Sequence, residues 1–169
     1  MLQEKNQGFR GFRQGFGVGI KSEMGIEGLC HIKLFGEDGE LKEERVIHNT
    51  VTELCDAHVA DQMSDSTDAA IGYMSVGTGT GQTSASTGLA TPLDQNALTS
   101  TTQGAAGADN DVVYIGTWAA GDGTGAITEA GILQAANNTT LMFYSSFDVI
   151  NKGAGDSCVI TWTVSFGAS

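Results

Sequence analysis

The sequence predicts an all-β fold, a sandwich or barrel of strands accompanied by one helix. The first observation behind this prediction is the composition, because 24 glycines and one proline among 169 residues are typical of a loop-rich β protein. The second is segment 126–166, in which three runs of alternating side chains are separated by turns rich in Asn, Gly and Ala. We interpret this segment as three consecutive strands that determine the fold.

The clearest strand is 158–166, in which every second residue is apolar and most residues between them are Thr or Ser. Its apolar positions are Cys158, Ile160, Trp162, Val164 and Phe166. A period of two places all five on one face, so this face is predicted to cover the core. The two runs before it predict strands at 127–133 and 140–147, with connections at 134–139 and 151–156.

The first half of the body predicts a hairpin followed by shorter strands. Residues 29–35 and 40–48 alternate on either side of the turn 36–39, where an Asp-Gly pair favours a tight connection. Charged residues occupy the outward positions of 40–48, which predicts that this hairpin lies at the edge of a sheet. Three further strands bring the predicted total to about eight, and they lie at 71–76, 97–103 and 112–119.

One amphipathic helix is predicted at about residues 50–63, with Asn49 or Thr50 as its N-cap. Its apolar residues recur at spacings of three and four: Val51, Leu54, Cys55, His58, Val59 and Met63. This stripe is predicted to cover an open end or face of the sheets. His48 and His58 have no nucleophile or carboxylate at a diagnostic spacing, so we interpret them as packing or surface residues rather than catalytic ones.

Two polar runs resemble ligand sites superficially. The run 77–81, GTGTG, follows a strand, but residues 82–87 are polar and loop-like, whereas a dinucleotide loop must open a helix. We therefore predict a loop or a single helical turn up to Leu89, which Pro92 ends. The run Asp109-Asn110-Asp111 offers oxygen ligands for calcium but lacks the spacing of a calcium-binding loop, so a turn is favoured and no metal site is predicted.

The three cysteines, Cys30, Cys55 and Cys158, form no CxxC pair and lie in apolar patterns, so they predict buried free thiols rather than disulfides or a zinc site. Such thiols suit assembly in a reducing cytoplasm. No apolar run approaches the roughly 18 residues of a membrane span, and the N-terminus lacks the apolar core of a signal peptide. No Ser/His/Asp or Cys/His set is recognisable, so an enzyme is not predicted.

Charge is distributed unevenly along the chain. Residues 1–21 contain four basic residues and one acidic residue, a net charge of +3, whereas residues 22–169 contain four basic and nineteen acidic residues, a net charge of −15. A body with this charge repels nucleic-acid phosphates, so nucleic acid is not a predicted partner. The basic segment is expected to contact an acidic surface, either on a neighbouring subunit or on a different protein.

We divide the chain into an extended N-terminal docking arm at 1–25 and a β-sandwich body at 26–169. The arm contains the repeat Gly-Phe-Arg, Gly-Phe-Arg, Gly-Phe-Gly, and its glycines oppose regular structure, so alone in water it is predicted to be disordered. The candidate partner-binding residues are Phe9, Arg10, Phe12, Arg13 and Phe16. Each phenylalanine would fill an apolar pocket, worth about 2–3 kcal/mol before ordering costs, and each arginine would pair with a carboxylate.

Other interpretations of the arm remain open. Arg/Gly/aromatic segments also contact RNA, where arginine pairs with phosphates and phenylalanine stacks on bases. The arm has only three repeat units and the body is acidic, so docking on a protein is favoured over RNA. A free tail without a partner is the third interpretation.

Four motifs in a fixed order give the chain a resemblance to a known family. They are NTVTEL at 49–54, IGYMSVGTG at 71–79, ITEAGIL at 127–133 and TWTVSF at 161–166. The chain resembles small virion proteins of tailed bacteriophages, some of which decorate the head as capsid cement, with related modules in tail fibres and baseplates. The resemblance covers residues 30–166 and implies a jelly-roll-like β-sandwich that is often a trimer.

The resemblance and the arm together predict a structural virion protein, a decoration or cement protein on the outer capsid surface of a phage head. The predicted partners are the major capsid protein and further copies of the chain, and no cofactor or membrane is expected. The alternative is a tail-fibre or baseplate subunit with a structural or receptor-binding role, such as contacting glycans. Against it, the chain has no long fibre repeat or coiled coil, and Trp118 and Trp162 both lie in predicted strands.

Overall fold

The computed structural model describes residues 24–64, 67–104 and 109–168. These residues form ten strands and one helix. In chain order the elements are β1 Met24–Phe35, β2 Leu41–His48, β3 Thr50–Val51, α1 Glu53–Ser64, β4 Tyr73–Gly77, β5 Pro92–Ala97, β6 Ser100–Gln103, β7 Asp111–Trp118, β8 Gly125–Leu133, β9 Leu141–Lys152 and β10 Ser157–Ala168. The predicted all-β sandwich with one helix is confirmed.

Each of the eight predicted strand segments contains a strand, and two more, β3 and β5, raise the total to ten. β3 is only two residues long and is defined by its pairing with β9. β5 has no alternation of apolar and polar residues, so it carries no period-two signal. It begins with Pro92, which has no backbone N–H and is tolerated at the first position of an edge strand.

Two antiparallel sheets of five strands each pack face to face. Sheet I has the order β2-β1-β10-β7-β6, and sheet II has the order β3-β9-β8-β4-β5. β1 and β10 pair along their whole length, from Met24 opposite Ala168 to Phe35 opposite Ser157. The first and last strands of the body therefore lie side by side, and β2 is at the edge of sheet I, as predicted for the first hairpin.

The core lies between the sheets and is filled from both. Trp118 and Trp162 enter it from sheet I, Phe143 and Ile132 enter it from sheet II, and all four are almost completely buried. The apolar face predicted for β10 is confirmed, because its first four apolar residues are buried and Phe166 is partly buried against the same cluster.

The three closing strands are divided between the sheets. β8 and β9 form a hairpin in sheet II, and a turn after Lys152 carries the chain to β10 in sheet I. The buried Lys152 ammonium donates hydrogen bonds to the backbone carbonyls of Ala119, at 2.9 Å, and Asp156, at 2.6 Å. The Asp156 carboxylate accepts from Gly153 N–H at 2.8 Å and pairs with Lys42 of β2 at 2.8 Å. These contacts attach the turn between β9 and β10 to the end of β7 and to the edge strand β2.

The helix begins later than the sequence pattern predicts. Thr52 is the N-cap, because its side-chain oxygen accepts a hydrogen bond from Cys55 N–H at 3.3 Å and its carbonyl accepts from the same N–H at 3.0 Å. The predicted caps Asn49 and Thr50 are wrong, since Thr50 belongs to β3, where it pairs with Tyr144 of β9. The described part of the chain contains no helix long and apolar enough to cross a membrane.

The boundary between arm and body lies slightly earlier than predicted. Met24 and Gly25, which were assigned to the arm, are paired with Ala168 and Gly167 in sheet I. The remaining arm residues, 1–23, lie outside the described residues.

Candidate interaction site

All five predicted partner-binding residues lie outside the described part of the chain. They are Phe9, Arg10, Phe12, Arg13 and Phe16. Their docking role therefore stays a prediction. The described body contributes three features to the functional argument: a buried carboxylate in β8, a cavity next to α1 and an outer sheet face with exposed apolar residues.

The buried carboxylate is Glu129, which has no exposed surface. Its Oε1 accepts hydrogen bonds from the backbone N–H groups of Gly79, at 2.9 Å, and Thr91, at 2.8 Å, and its Oε2 accepts from Ala90 N–H at 3.0 Å. Thr128 donates a further hydrogen bond from its hydroxyl to the Gly79 carbonyl at 2.8 Å. Three donors offset the cost of burying a carboxylate, so we define Glu129 and the loop atoms it binds as the Glu129 junction.

Two glycines of the run 77–81, Gly77 and Gly79, are explained by this junction. A Cβ added to Gly77 would lie 2.5 Å from Oε1 of Glu129, and one added to Gly79 would lie 2.7 Å from the same oxygen. Only glycine allows the loop backbone to approach the carboxylate so closely. Residues 78–91 contain no helix, so the prediction of a loop is confirmed. The run binds the protein's own carboxylate from its backbone, and two motifs of the resemblance meet at this junction.

The three cysteines are buried free thiols, as predicted. Burial raises the pKa of Cys55 to about 12 and that of Cys158 to about 11. Burial also raises the pKa of Cys30, which lies against the core of both sheets. These thiols stay protonated at neutral pH, and a protonated thiol is a poor nucleophile.

The polar runs and the histidines occupy structural positions in the described body. Asp109 and Asn110 form a turn, as predicted, and the Asn110 side-chain N–H donates to the carbonyl of Phe166 at 2.6 Å. His48 is exposed at the end of β2, and His58 is buried on α1. Across residues 24–64, 67–104 and 109–168 no group of three His, Cys, Asp or Glu side chains is arranged to hold a metal ion.

A cavity of about 300 Å³ lies between α1 and the neighbouring end of the sandwich, and we call it the α1 cavity. Its volume is at the lower end of the range found for small-ligand pockets. The helix contributes five side chains, including that of Gln62, and the two sheets with the segment before β4 contribute the opposite wall. The principal lining residues are Cys55, His58, Val59, Met63, Ile71, Tyr114, Phe143 and Phe166.

The α1 cavity is apolar apart from the Cys55 thiol, the His58 ring, the Gln62 amide and the Tyr114 hydroxyl. Burial raises the pKa of both the Cys55 thiol and the Tyr114 hydroxyl to about 12, so neither is ionised at pH 7. Nδ1 of His58 has no hydrogen-bond partner among the described residues, although the side chain is only 9% exposed, and the nearest carboxylate oxygen, on Asp68, is 3.8 Å away. This chemistry suits the binding of an apolar group that also offers one hydrogen bond; it does not suit nucleophilic catalysis.

The outer face of sheet I carries apolar residues that no described segment covers. Leu29 of β1 and Val46 of β2 are 39% and 57% exposed. On the same face Nε2 of His31 forms a hydrogen bond with Oε1 of Glu44 at 2.6 Å. This hydrogen bond, together with nearby Lys33, lowers the pKa of the Glu44 carboxyl. Leu29 and Val46 therefore lie on the outer face of sheet I beside exposed ion pairs.

Comparison of the chain with protein-family models, with curated proteins and with solved structures yields no match. The resemblance to phage virion proteins therefore rests on the motifs within this sequence, and the function below is argued from the chain itself.

Sequence reasoning missed both the Glu129 junction and the α1 cavity. An acidic residue within the otherwise apolar strand 127–133 was a usable signal for the first, because a buried carboxylate requires nearby N–H donors such as a glycine-rich loop supplies. The cavity had no comparable signal. Its walls come from five separate segments of the chain, and only their packing creates the empty volume.

Proposed function

We propose that the chain is a structural virion protein that decorates the outer surface of a tailed-phage head and binds the major capsid protein through its N-terminal arm. The observation that carries this proposal is the charge division, with a net charge of +3 in residues 1–21 and −15 in the remainder. An acidic body joined to a short basic, aromatic arm is the chemistry expected of a protein that attaches to a larger protein surface through one segment.

The chemistry of the body supports a binding role over catalysis. In the described residues the strongly buried carboxylate is satisfied by backbone N–H groups, and the three thiols are held protonated by burial. Cys55 lines the α1 cavity, and its raised pKa makes it a poor nucleophile.

Two motifs of the resemblance on which the phage assignment rests are in contact at the Glu129 junction, because β4 and β8 pair there. VGTG and ITEAG are about fifty residues apart, yet the carboxylate of the second binds the loop of the first. The proposed trimer and the capsid partner follow from that resemblance.

Self-association is part of the proposal, with the outer face of sheet I as a candidate contact. Exposed Leu29 and Val46 supply the apolar component. Modest arm contacts multiplied over an oligomer produce strong attachment, because binding of the second and third arms is intramolecular.

The test is attachment to purified heads of the phage or prophage that encodes the chain. The full-length protein should bind in hundreds of copies per head, and the triple variant Phe9→Ala/Phe12→Ala/Phe16→Ala should bind at least about tenfold more weakly, since three buried aromatics are removed. The matched control is Phe35→Ala, which removes a half-buried aromatic of β1 outside the arm. Unchanged attachment of the triple variant would refute the arm mechanism, and six or twelve copies per particle would indicate a tail or neck position instead.

A further inference from the structure

We propose that the α1 cavity is the docking site of the N-terminal arm of the same chain, and that one or more of its phenylalanines occupy the cavity when no other partner is bound. The inference concerns a contact within one chain and goes beyond the capsid attachment proposed above. Neither proposal requires the other to hold.

The first argument is where the arm joins the body. β1 begins at Met24, and two residues further on Ile26 pairs with Phe166 of β10, whose side chain lines the α1 cavity. Residues 1–23 therefore enter the body at the rim of this cavity. The seven residues between Phe16 and Met24 span up to about 25 Å when extended, so Phe16 and the aromatics before it can reach the opening without straining the chain.

The second argument is the match between the contents of the arm and the chemistry of the cavity. The arm has three phenylalanines spaced three and four residues apart, and the cavity has an apolar lining with Met63 at its rim, 76% exposed. The orphaned Nδ1 of His58 requires a hydrogen-bond partner, and an inserted segment brings backbone N–H and carbonyl groups with it.

The third argument is charge. α1 carries Glu53, Asp56 and Asp61 and no lysine or arginine, while the arm has a net charge of +3. Arg10 and Arg13 alternate with the phenylalanines, so a phenylalanine in the cavity places an arginine near this acidic helix. Attraction between the arginines and the carboxylates of α1 favours docking, and salt screens this attraction.

Docking in the same chain is favoured over docking in a second copy by effective concentration. A segment tethered by seven residues to the rim experiences a local concentration in the millimolar range. A second copy at micromolar concentration competes poorly with it. The consequence is that the arm is partly sequestered on its own body until a surface with higher affinity displaces it.

Hydrogen exchange of the arm amides, followed by mass spectrometry on the full-length protein, tests this inference without any capsid. Amides of residues 9–16 should exchange at least about tenfold more slowly than in a free peptide of residues 1–23. Two variants should restore the free-peptide rate: Phe9→Ala/Phe12→Ala/Phe16→Ala, which removes the inserted groups, and Met63→Arg, which adds a repelling charge at an exposed rim position. The matched control, Val46→Arg on the far face of sheet I, should leave the protection unchanged.

Exchange of the wild-type arm at the free-peptide rate would overturn the proposal. Protection that survives Met63→Arg and also survives Ala70→Trp, a second rim variant that blocks the cavity, would place the arm elsewhere and refute this site. Protection that declines on dilution would assign the docking to a second copy and refute the intramolecular contact. If the wild-type protein does not attach to phage heads but its arm amides are protected, the proposed function is refuted and the docking of the arm in the α1 cavity is not.

Discussion

At the scale of single residues, Glu129 shows how a buried charged side chain determines its surroundings. Its two carboxylate oxygens satisfy three backbone N–H groups that the loops 77–81 and 88–91 would otherwise leave unpaired. A buried backbone donor without an acceptor costs about 1–3 kcal/mol, so the junction stabilises both loops at once.

Glu129→Gln is expected to lower the free energy of unfolding by about 2–3 kcal/mol, measured by urea denaturation. The amide can still accept hydrogen bonds through one oxygen, but its NH2 group then faces the N–H of Ala90 or of Gly79 and Thr91. The control is Glu27→Gln, an exposed carboxylate on β1, which should change stability by less than about 0.5 kcal/mol. Equal effects of the two substitutions would contradict the structural role of the junction.

The buried thiols predict a loss of stability at alkaline pH. The folded pKa of each cysteine is raised above 9.0, so above pH 9 the unfolded chain releases these protons first and is favoured. From pH 7 to pH 10 each thiol should remove about 1 kcal/mol from the free energy of unfolding, measured under reducing conditions. In Cys55→Ala the free energy of unfolding should fall by about 1 kcal/mol less over this pH range than in the wild-type protein. An equal fall in the two proteins would disprove the contribution of Cys55.

At the scale of secondary-structure elements, the start of α1 shows tertiary contacts overriding a local pattern. Asn49 and Thr50 are acceptable N-cap residues, and the apolar spacing begins at Val51. The pairing of Thr50 and Val51 with β9 keeps them extended, and the helix starts only after Thr52. Thr52 also donates its hydroxyl to the carbonyl of Leu141 at 2.6 Å, so the cap fixes the helix to the strand beneath it.

Thr52→Ala should lower the free energy of unfolding by about 1–3 kcal/mol in denaturant titrations, because both the cap and the buried bond to β9 are lost. Thr50→Ala is the matched substitution at the cap position that the sequence pattern favours, and its exposed side chain should make it nearly neutral. The reverse order of the two effects would show that the helix begins at Thr50.

At the scale of the whole molecule, the division of charge between arm and body governs how the protein approaches a partner. The acidic body repels polyanions, and under the proposed function the basic arm is attracted to carboxylates on the partner surface. Such attraction between exposed charges depends on ionic strength, which makes it measurable.

Arg10→Glu/Arg13→Glu is expected to weaken attachment to purified phage heads, and more strongly at 0.05 M salt than at 0.5 M salt, because screening removes the long-range component. The comparison variant is Thr101→Glu/Thr102→Glu/Ala126→Glu/Ala136→Glu, which changes the net charge by the same amount at exposed positions of the body. An effect of the arm variant that does not vary with salt would indicate a purely apolar contact.

More of the architecture of this chain than of its local chemistry could be predicted from the sequence. Eight strands and the position of the first hairpin follow from alternation and from an Asp-Gly turn, and the burial of one face of β10 follows from its period of two. β5 was missed because PLDQNA carries no alternation, and it becomes a strand only through its pairing with β4. Of the sites, the arm residues were proposed from composition, whereas the α1 cavity required knowledge of how distant segments pack.

The sequence by itself determined the all-β class, the buried thiols and the opposite charges of arm and body, because each depends on neighbouring residues or on simple totals. Only the tertiary structure decided that Thr52 caps α1, that the glycine run binds Glu129, and that the arm joins the body beside an apolar cavity. The physical reason is separation along the chain. The partners of Glu129 are 38–50 residues away, so no local pattern specifies which N–H groups a buried carboxylate will bind.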